Sequence, residues 1–333
     1  MTWKRPFYQG DTKTAPAAPA ELPASRRAEL TAPAGYWADE GLVDAVNVAI
    51  LLGQPLLLTG QPGTGKTQLA SSLAWSLGLG KPLKFETKST STSRDLFYTY
   101  DALGRFQARE SGASSRAVDY LTYGALGLAI LRANEEAAVA AFLPAGTEHG
   151  GRRRSVALID EIDKAPRDFP NDILNEIEEM YFRVPELGNA ELRAEPAMQP
   201  VVVITSNSEK DLPDAFLRRC VYYHLPFPDR ERLTGIVERR LGALGKGGSE
   251  LLADVMDLFF LLRDPASNLR KQPSTAELLG WLIALRQHGE EANPLAADPG
   301  LALRTLSSLV KTHEDQERTE QVVSRWIQAR RPR

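Results

Sequence analysis

Residues 54–74 read QPLLLTGQPGTGKTQLASSLA, and such a stretch leaves little structural choice. Residues 55–59 are a short apolar run that predicts a buried strand. The turn Gly60-Gln61-Pro62-Gly63-Thr64-Gly65-Lys66-Thr67 follows at once. A helix with Leu69, Leu73 and Leu77 at every fourth position comes next. Strand, glycine-rich turn and helix in that order are the setting in which a phosphate-binding loop works. Glycines let backbone N–H groups converge on phosphate oxygens with no Cβ in the way. The helix N-terminus adds unpaired donors and a partial positive charge. Lys66 is placed to reach β- and γ-phosphates, and the Thr67 hydroxyl to hold Mg²⁺. The stretch predicts a nucleoside triphosphate site.

A second landmark is Val156-Ala157-Leu158-Ile159-Asp160-Glu161. Four apolar residues predict a buried strand with two carboxylates at its C-terminal end, the edge where ligands of parallel α/β sheets gather. Asp160 is then suited to the Mg²⁺ shell, and Glu161 to orienting and polarising a water. A third strand, 201–205, ends in Ser206-Asn207-Ser208. If it lies between the other two, Asn207 can touch both γ-phosphate and water; alone it would be an ordinary turn residue. Arg218 and Arg219 close a short helix ahead of a strand at 221–225. Paired guanidinium groups suit the charge of a phosphoryl transition state, and a salt-bridged helix end is the structural alternative.

The remaining chain falls into three parts. Residues 1–35 are rich in Ala and Pro and read as an arm or linker, with Trp3, Phe7 and Tyr8 as a docking patch or as side chains that tack the arm down. Residues 36–228 alternate strands and helices, which predicts an α/β nucleotide-binding domain. There Leu42, Val43, Val46, Ala49 and Ile50 form one helical face ending at Gly53. A strand spans 83–87, and the insertion 88–108 carries Tyr98, Tyr100 and Phe106, which either grip a partner or pack among themselves. Residues 117–143 have a helical pattern, and Arg152, Arg153 and Arg154 precede the Asp160 strand as a solvated edge or as a face for a neighbouring subunit or an acidic partner. A helix at 168–181 and a hairpin of 181–187 with 190–194 follow. From 229 to 333 only helices are legible, at 230–244, 250–262, 275–287, 301–311 and 315–329, with Ser274 and Glu277 as a capping box.

The net charge of −3 argues against a broad nucleic-acid-binding surface. The single cysteine, Cys220, allows no internal disulfide, fits a reducing compartment and reads as a small packed residue. No signal peptide and no membrane span are legible, so a cytoplasmic, soluble protein is expected.

Together these motifs resemble the AAA+ ATPases and, within them, the MoxR family. The resemblance rests on GQPGTGKT (60–67), LIDEIDKAP (158–166), NDILNEIEE (171–179), ITSNSEKDLPDAFLRRC (204–220) and LPFPD (225–229). It implies a P-loop NTPase core with a five-stranded parallel sheet flanked by helices, followed by an all-helical lid. It also implies a hexameric ring with ATP between subunits, Asn207 as first sensor, and Arg218 or Arg219 as a finger on the neighbour's site. The family's usual second-sensor arginine falls at Ala276 here, with Arg270 or Lys271 just upstream. MoxR-like proteins commonly act with von Willebrand factor A-type partners on a protein client. A nucleic-acid motor or loader, or a nucleotide-gated switch of a bacterial conflict system, shares the same core.

Overall fold

The computed structural model describes residues 7–8, 18–19, 21–111, 116–208, 212–242, 248–287 and 292–330. One compact unit is Tyr36–Phe227; a second comprises Met1–Gly35 with Pro228–Arg333. The elements begin with α1 (Arg27–Leu30), α2 (Glu40–Leu52), β1 (Leu56–Thr59), α3 (Lys66–Ser76), β2 (Leu83–Glu86), β3 (Tyr98–Tyr100) and α4 (Ala102–Glu110). Next are β4 (Leu121–Tyr123), α5 (Ala125–Arg132), α6 (Glu136–Val139), β5 (Val156–Asp160), α7 (Phe169–Asp172), α8 (Leu174–Glu179), β6 (Tyr181–Val184) and β7 (Ala190–Arg193). β8 (Val201–Thr205), α9 (Asp214–Leu217) and β9 (Val221–His224) close the first unit.

The sheet order is β2-β5-β8-β1-β9, and every pairing is parallel. Successive strand side chains point to opposite faces, so one run of apolar residues feeds two cores. Leu57, Ala157, Ile159, Val202 and Ile204 enter one core, where Leu126, Ala129 and Ile130 of α5 cover them. Leu56, Leu58, Val156, Leu158 and Val203 enter the other, under Leu42 and Val46 of α2 and Leu69 and Leu73 of α3. Each fully buried leucine stabilises this three-layer arrangement by about 1.5–3 kcal/mol. Parallel strands sharing one direction also bring all the loops after β1, β5 and β8 to a single edge.

Helix α2 is fixed at both ends. The Asp39 carboxylate accepts the Leu42 N–H at 2.7 Å, and Gly53 ends the helix in the left-handed region. Helix α3 stops at Ser76, so Leu77, expected on its buried stripe, is a half-exposed cap residue. The helical reading of 117–143 fails in part. Leu121 lies in β4, which pairs antiparallel with β3, and only 125–132 and 136–139 are α-helical. Leucine spacing misled there because a β-strand and a helix both bury a residue at 121. The 168–181 helix is likewise two pieces, α7 and α8. The hairpin is present as β6 paired with β7.

The β3–β4 ribbon answers part of the question left open by its aromatics. Tyr98 is buried, its hydroxyl donating to Glu186 at 2.9 Å, while Phe106 is mostly exposed. Phe182 of β6 sits among Phe97, Tyr98 and Tyr123, with ring centroids 5.4, 6.1 and 6.2 Å away. Cys220 is partly buried, and that burial pushes its thiol up to about 12.

In the other unit α10 (Arg230–Leu241), α11 (Gly248–Arg263), α12 (Thr275–Arg286), α13 (Pro294–Ala297), α14 (Leu301–Arg304) and α15 (His313–Arg330) follow one another. The expected 301–311 helix stops at Arg304, because the chain passes into a 3₁₀ turn at Leu306–Ser308. Buried Trp281 donates its indole N–H to Thr305 at 2.8 Å. The capping box of Ser274 and Glu277 is formed. Asp315, buried, accepts the backbone N–H groups of Arg270 (2.7 Å) and Lys271 (3.0 Å), fixing the loop ahead of α12. Residues Arg27–Gly35 form two short helical turns against α10, where Arg240 donates to the Ala32 carbonyl. Phe7 and Tyr8 are exposed, and Trp3 lies outside the described residues. Among the described residues no helix is long and apolar enough to cross a membrane.

Phe182→Ala should cost about 3–5 kcal/mol of unfolding free energy, since it removes a ring at the centre of three others. Urea unfolding checks this, and a loss below ~1 kcal/mol would mean that the cluster collapses to fill the gap.

Candidate functional site

The loop between β1 and α3 is built from backbone constraints. Gly60 has φ 141°, and a Cβ there would lie 2.3 Å from the Leu225 carbonyl oxygen, so no other residue fits without moving that strand end. Gly63 and Gly65 also take positive φ, at 78° and 98°. Thr64 donates its hydroxyl to the Gln61 carbonyl at 2.9 Å and closes the turn that carries Pro62. Lys66 opens α3 with its side chain buried. Its ammonium donates to the Gly60 carbonyl (2.7 Å), the Gln61 carbonyl (3.0 Å) and Asn207 Oδ1 (3.1 Å). All three partners are neutral oxygens, which an incoming phosphate oxygen can replace with gain. Burial lowers the Lys66 pKa, against the charges of Asp163, Asp160 and Glu161.

Asp160 is the other centre. Its Oδ1 accepts hydroxyls from Thr67 (2.8 Å) and Thr205 (2.7 Å), and its Oδ2 faces the Lys84 ammonium at 2.9 Å. Burial alone would raise its pKa. The hydrogen bonds from Thr205, Lys84 and Thr67 outweigh burial and hold the carboxyl below its usual range. A hydroxyl beside a carboxylate is a hard-oxygen pair of the kind Mg²⁺ accepts, with phosphate and water completing its shell. Thr67 and Asp160 thus fit that ion by donor chemistry.

Glu161 stands at the turn after β5 in the left-handed region, φ 57°, with its N–H donating to Thr205 Oγ1 at 2.9 Å. A non-glycine residue held there costs of order 1 kcal/mol, and such strain concentrates at functional positions. Its carboxylate is half-exposed and accepts from Lys164. Asn207 is oriented by Asp163, whose carboxylate accepts the Asn207 backbone N–H (3.1 Å) and its Nδ2 (3.3 Å). With Nδ2 committed there, Oδ1 is left to face Lys66.

The structure therefore brings Lys66, Thr67, Asp160, Glu161 and Asn207 to one sheet edge, with β8 between β5 and β1. Arg218 and Arg219 stand apart from this network. Arg219 donates to Glu178 at 2.7 Å, the salt bridge of the alternative reading, whereas Arg218 is exposed and has no ion-pair partner among the described residues. Sequence reasoning missed Lys84, Asp163, Lys164 and Thr205. A lysine at the second position of a half-buried edge strand was the one signal for Lys84. Its meaning depends on β2 lying beside β5, where Glu86 faces Asp160 and Lys84 neutralises both carboxylates.

Residues 55–220 match the family model of the AAA domain, dynein-related subfamily. No curated protein matches the chain. The stability contributed by Asp160 has a defined pH window. Because its folded pKa is depressed, the contribution is full above the ordinary carboxylate pKa and is lost as pH falls through the lower folded value. The stability gap between wild type and Asp160→Asn should thus be steady at neutral pH and narrow from about pH 4 downward. Urea titrations at several pH values check this, and a constant gap would contradict it. The sheet order, the glycine loop that cradles Lys66 and the matched family model agree: residues 55–220 are an AAA domain, and this chain carries an AAA+ ATPase core followed by a helical region.

Proposed function

We propose that the chain is a MoxR-type AAA+ ATPase that hydrolyses ATP with Mg²⁺ at the interfaces of a hexameric ring and uses the cycle to remodel a protein client. The observation that carries this reading is a pair of hydrogen-bonded sets at one sheet edge, Thr67–Asp160–Thr205–Glu161 and Lys66–Asn207–Asp163. Gly60, Gln61, Pro62, Gly63, Thr64 and Gly65 supply the backbone cradle, and Lys66 neutralises the β- and γ-phosphates. Mg²⁺ held at Thr67 and Asp160 would add charge neutralisation on the same phosphates. Glu161 leaves Lys164, orients a water and takes its proton as the water oxygen bonds to the γ-phosphorus and the β–γ bridging oxygen departs. Asn207, fixed by Asp163, steadies that water and the γ-phosphate. A von Willebrand factor A-type partner is proposed from the family resemblance, and a cytoplasmic location from the single cysteine, which fits a reducing compartment.

Of the two arginines, Arg218 is the proposed finger. It is exposed and lacks an ion-pair partner among the described residues, whereas Arg219 is held by Glu178.

Lys66→Ala should lose ATP binding at micromolar nucleotide, while Glu161→Gln should bind ATP but turn over at least ~100-fold more slowly. Equilibrium binding with a fluorescent ATP analogue and a phosphate-release assay check both. Near-normal turnover by Glu161→Gln would assign water activation elsewhere.

Arg218→Ala should also be inactive while binding ATP. Mixing it with Glu161→Gln under demonstrated subunit exchange should restore turnover, because some interfaces then pair an intact Glu161 with an intact Arg218. Exchange with no recovery would remove the ring reading of Arg218, provided that the Arg218→Ala protein sediments like wild type.

A further inference from the structure

The edge of the sheet opposite the nucleotide loop, where β1, β5 and β8 begin, carries a groove of about 300 Å³. Leu51 and Leu52 at the end of α2 form one wall, Pro196 and Pro200 another, and Arg154 and Gln199 also line it. Two observations set it apart from ordinary surface. Leu51 and Leu52 are 83% and 61% exposed, at the end of a helix whose opposite face is core. Of the arginines near this edge, Arg132, Arg153 and Arg154 have no carboxylate partner among the described residues. Arg152 takes up the two carboxylates, Glu135 and Glu195. Arg153 and Arg154 donate only to the carbonyls of Gly150 and Ala197, and neither has a carboxylate partner among the described residues. Arg132 lies beside them, its backbone carbonyl accepting the Arg153 N–H at 2.8 Å, and also lacks one. Such uncompensated positive charge stands in a chain whose net charge is −3.

We infer that this groove is a docking site for an acidic, aliphatic peptide segment of a partner protein, one carboxylate meeting Arg154 and a neighbouring leucine-like side chain lying on Leu51 and Leu52. A guanidinium matches a carboxylate in a planar, two-point contact. The exposed Leu51 and Leu52 beside the groove give the segment's aliphatic side chains a surface that a sugar–phosphate backbone cannot use. A volume of this size lies at the lower end of ligand pockets, about 300–1,000 Å³, and admits the side chains of a short extended stretch. The site sits at the far ends of the strands from Lys66, so it is independent of the ATPase reading.

The test is fluorescence anisotropy of the full-length protein with a fluorescein-labelled peptide carrying a Glu-Leu-Asp-Leu-Glu core in a Gly-Ser frame. A saturable rise is expected, weakening as salt is raised. Arg154→Glu and, separately, Leu51→Ser should each weaken binding ~10-fold or more. Leu51 is exposed, so its replacement leaves the fold intact and keeps the result interpretable if Arg154→Glu misfolds. A Lys-Leu-Lys-Leu-Lys peptide should not bind. The inference is overturned by no binding of the acidic peptide or by equal binding to wild type and Leu51→Ser. It is also overturned if a labelled oligothymidylate competes better than the peptide, which would make the edge a nucleic-acid surface. Finally, loss of self-association in Leu51→Ser with unchanged peptide binding would mean that a second copy covers the groove.

Discussion

A carboxylate that stays charged at the end of a buried strand is an expensive thing to keep, and Asp160 is kept by three donors at once. Thr67, Thr205 and Lys84 come from three different elements, so satisfying this one group fixes α3, β8 and β2 relative to β5. Removing a donor leaves the charge partly unpaired and costs more than the bond itself. The site's precision follows from that electrostatic requirement. Thr205, satisfied by Asp160, in turn receives the Glu161 N–H and sets the strained turn on which Glu161 stands.

Lys66 and Asn207 form the second half of the same logic. Lys66 rests on neutral oxygens while three carboxylates surround it at longer range, so its positive charge is retained but not quenched. Asp163 supplies the orientation. By engaging both nitrogens of Asn207 it leaves one oxygen for the lysine and holds β8's end against the turn after β5.

Much of this architecture was legible because two different periodicities met at a glycine-rich turn. The strands at 156–160 and 201–205 announce themselves as unbroken apolar runs, since both faces are covered. Asp160 and Asn207 could be placed because each follows such a run, and Lys66 and Thr67 because they open the helix after the glycine turn. What was illegible is whatever depends on neighbours far away in sequence. Lys84 acquires its partner only through the pairing of β2 with β5, and nothing in residues 83–87 announces that register. Leu121 was misread because burial at one leucine does not distinguish a three-residue strand from a helix turn. In the helical unit the capping box at Ser274 marked its helix start well, while the 3₁₀ break after Arg304 has no such mark.

The close approach at Gly60 has a mechanical side. Its α-carbon lies against the Leu225 carbonyl, and the Leu225 N–H is itself bonded to Thr59 at 2.8 Å, so the phosphate loop and the end of β9 are clamped back to back. Leu225 stands just ahead of Pro228, where the helical unit begins. No soft side chain lies between the phosphate loop and the end of β9 to absorb a displacement of the loop. The clamp is main chain against main chain, so the position of the loop and the position of the end of β9 are set together.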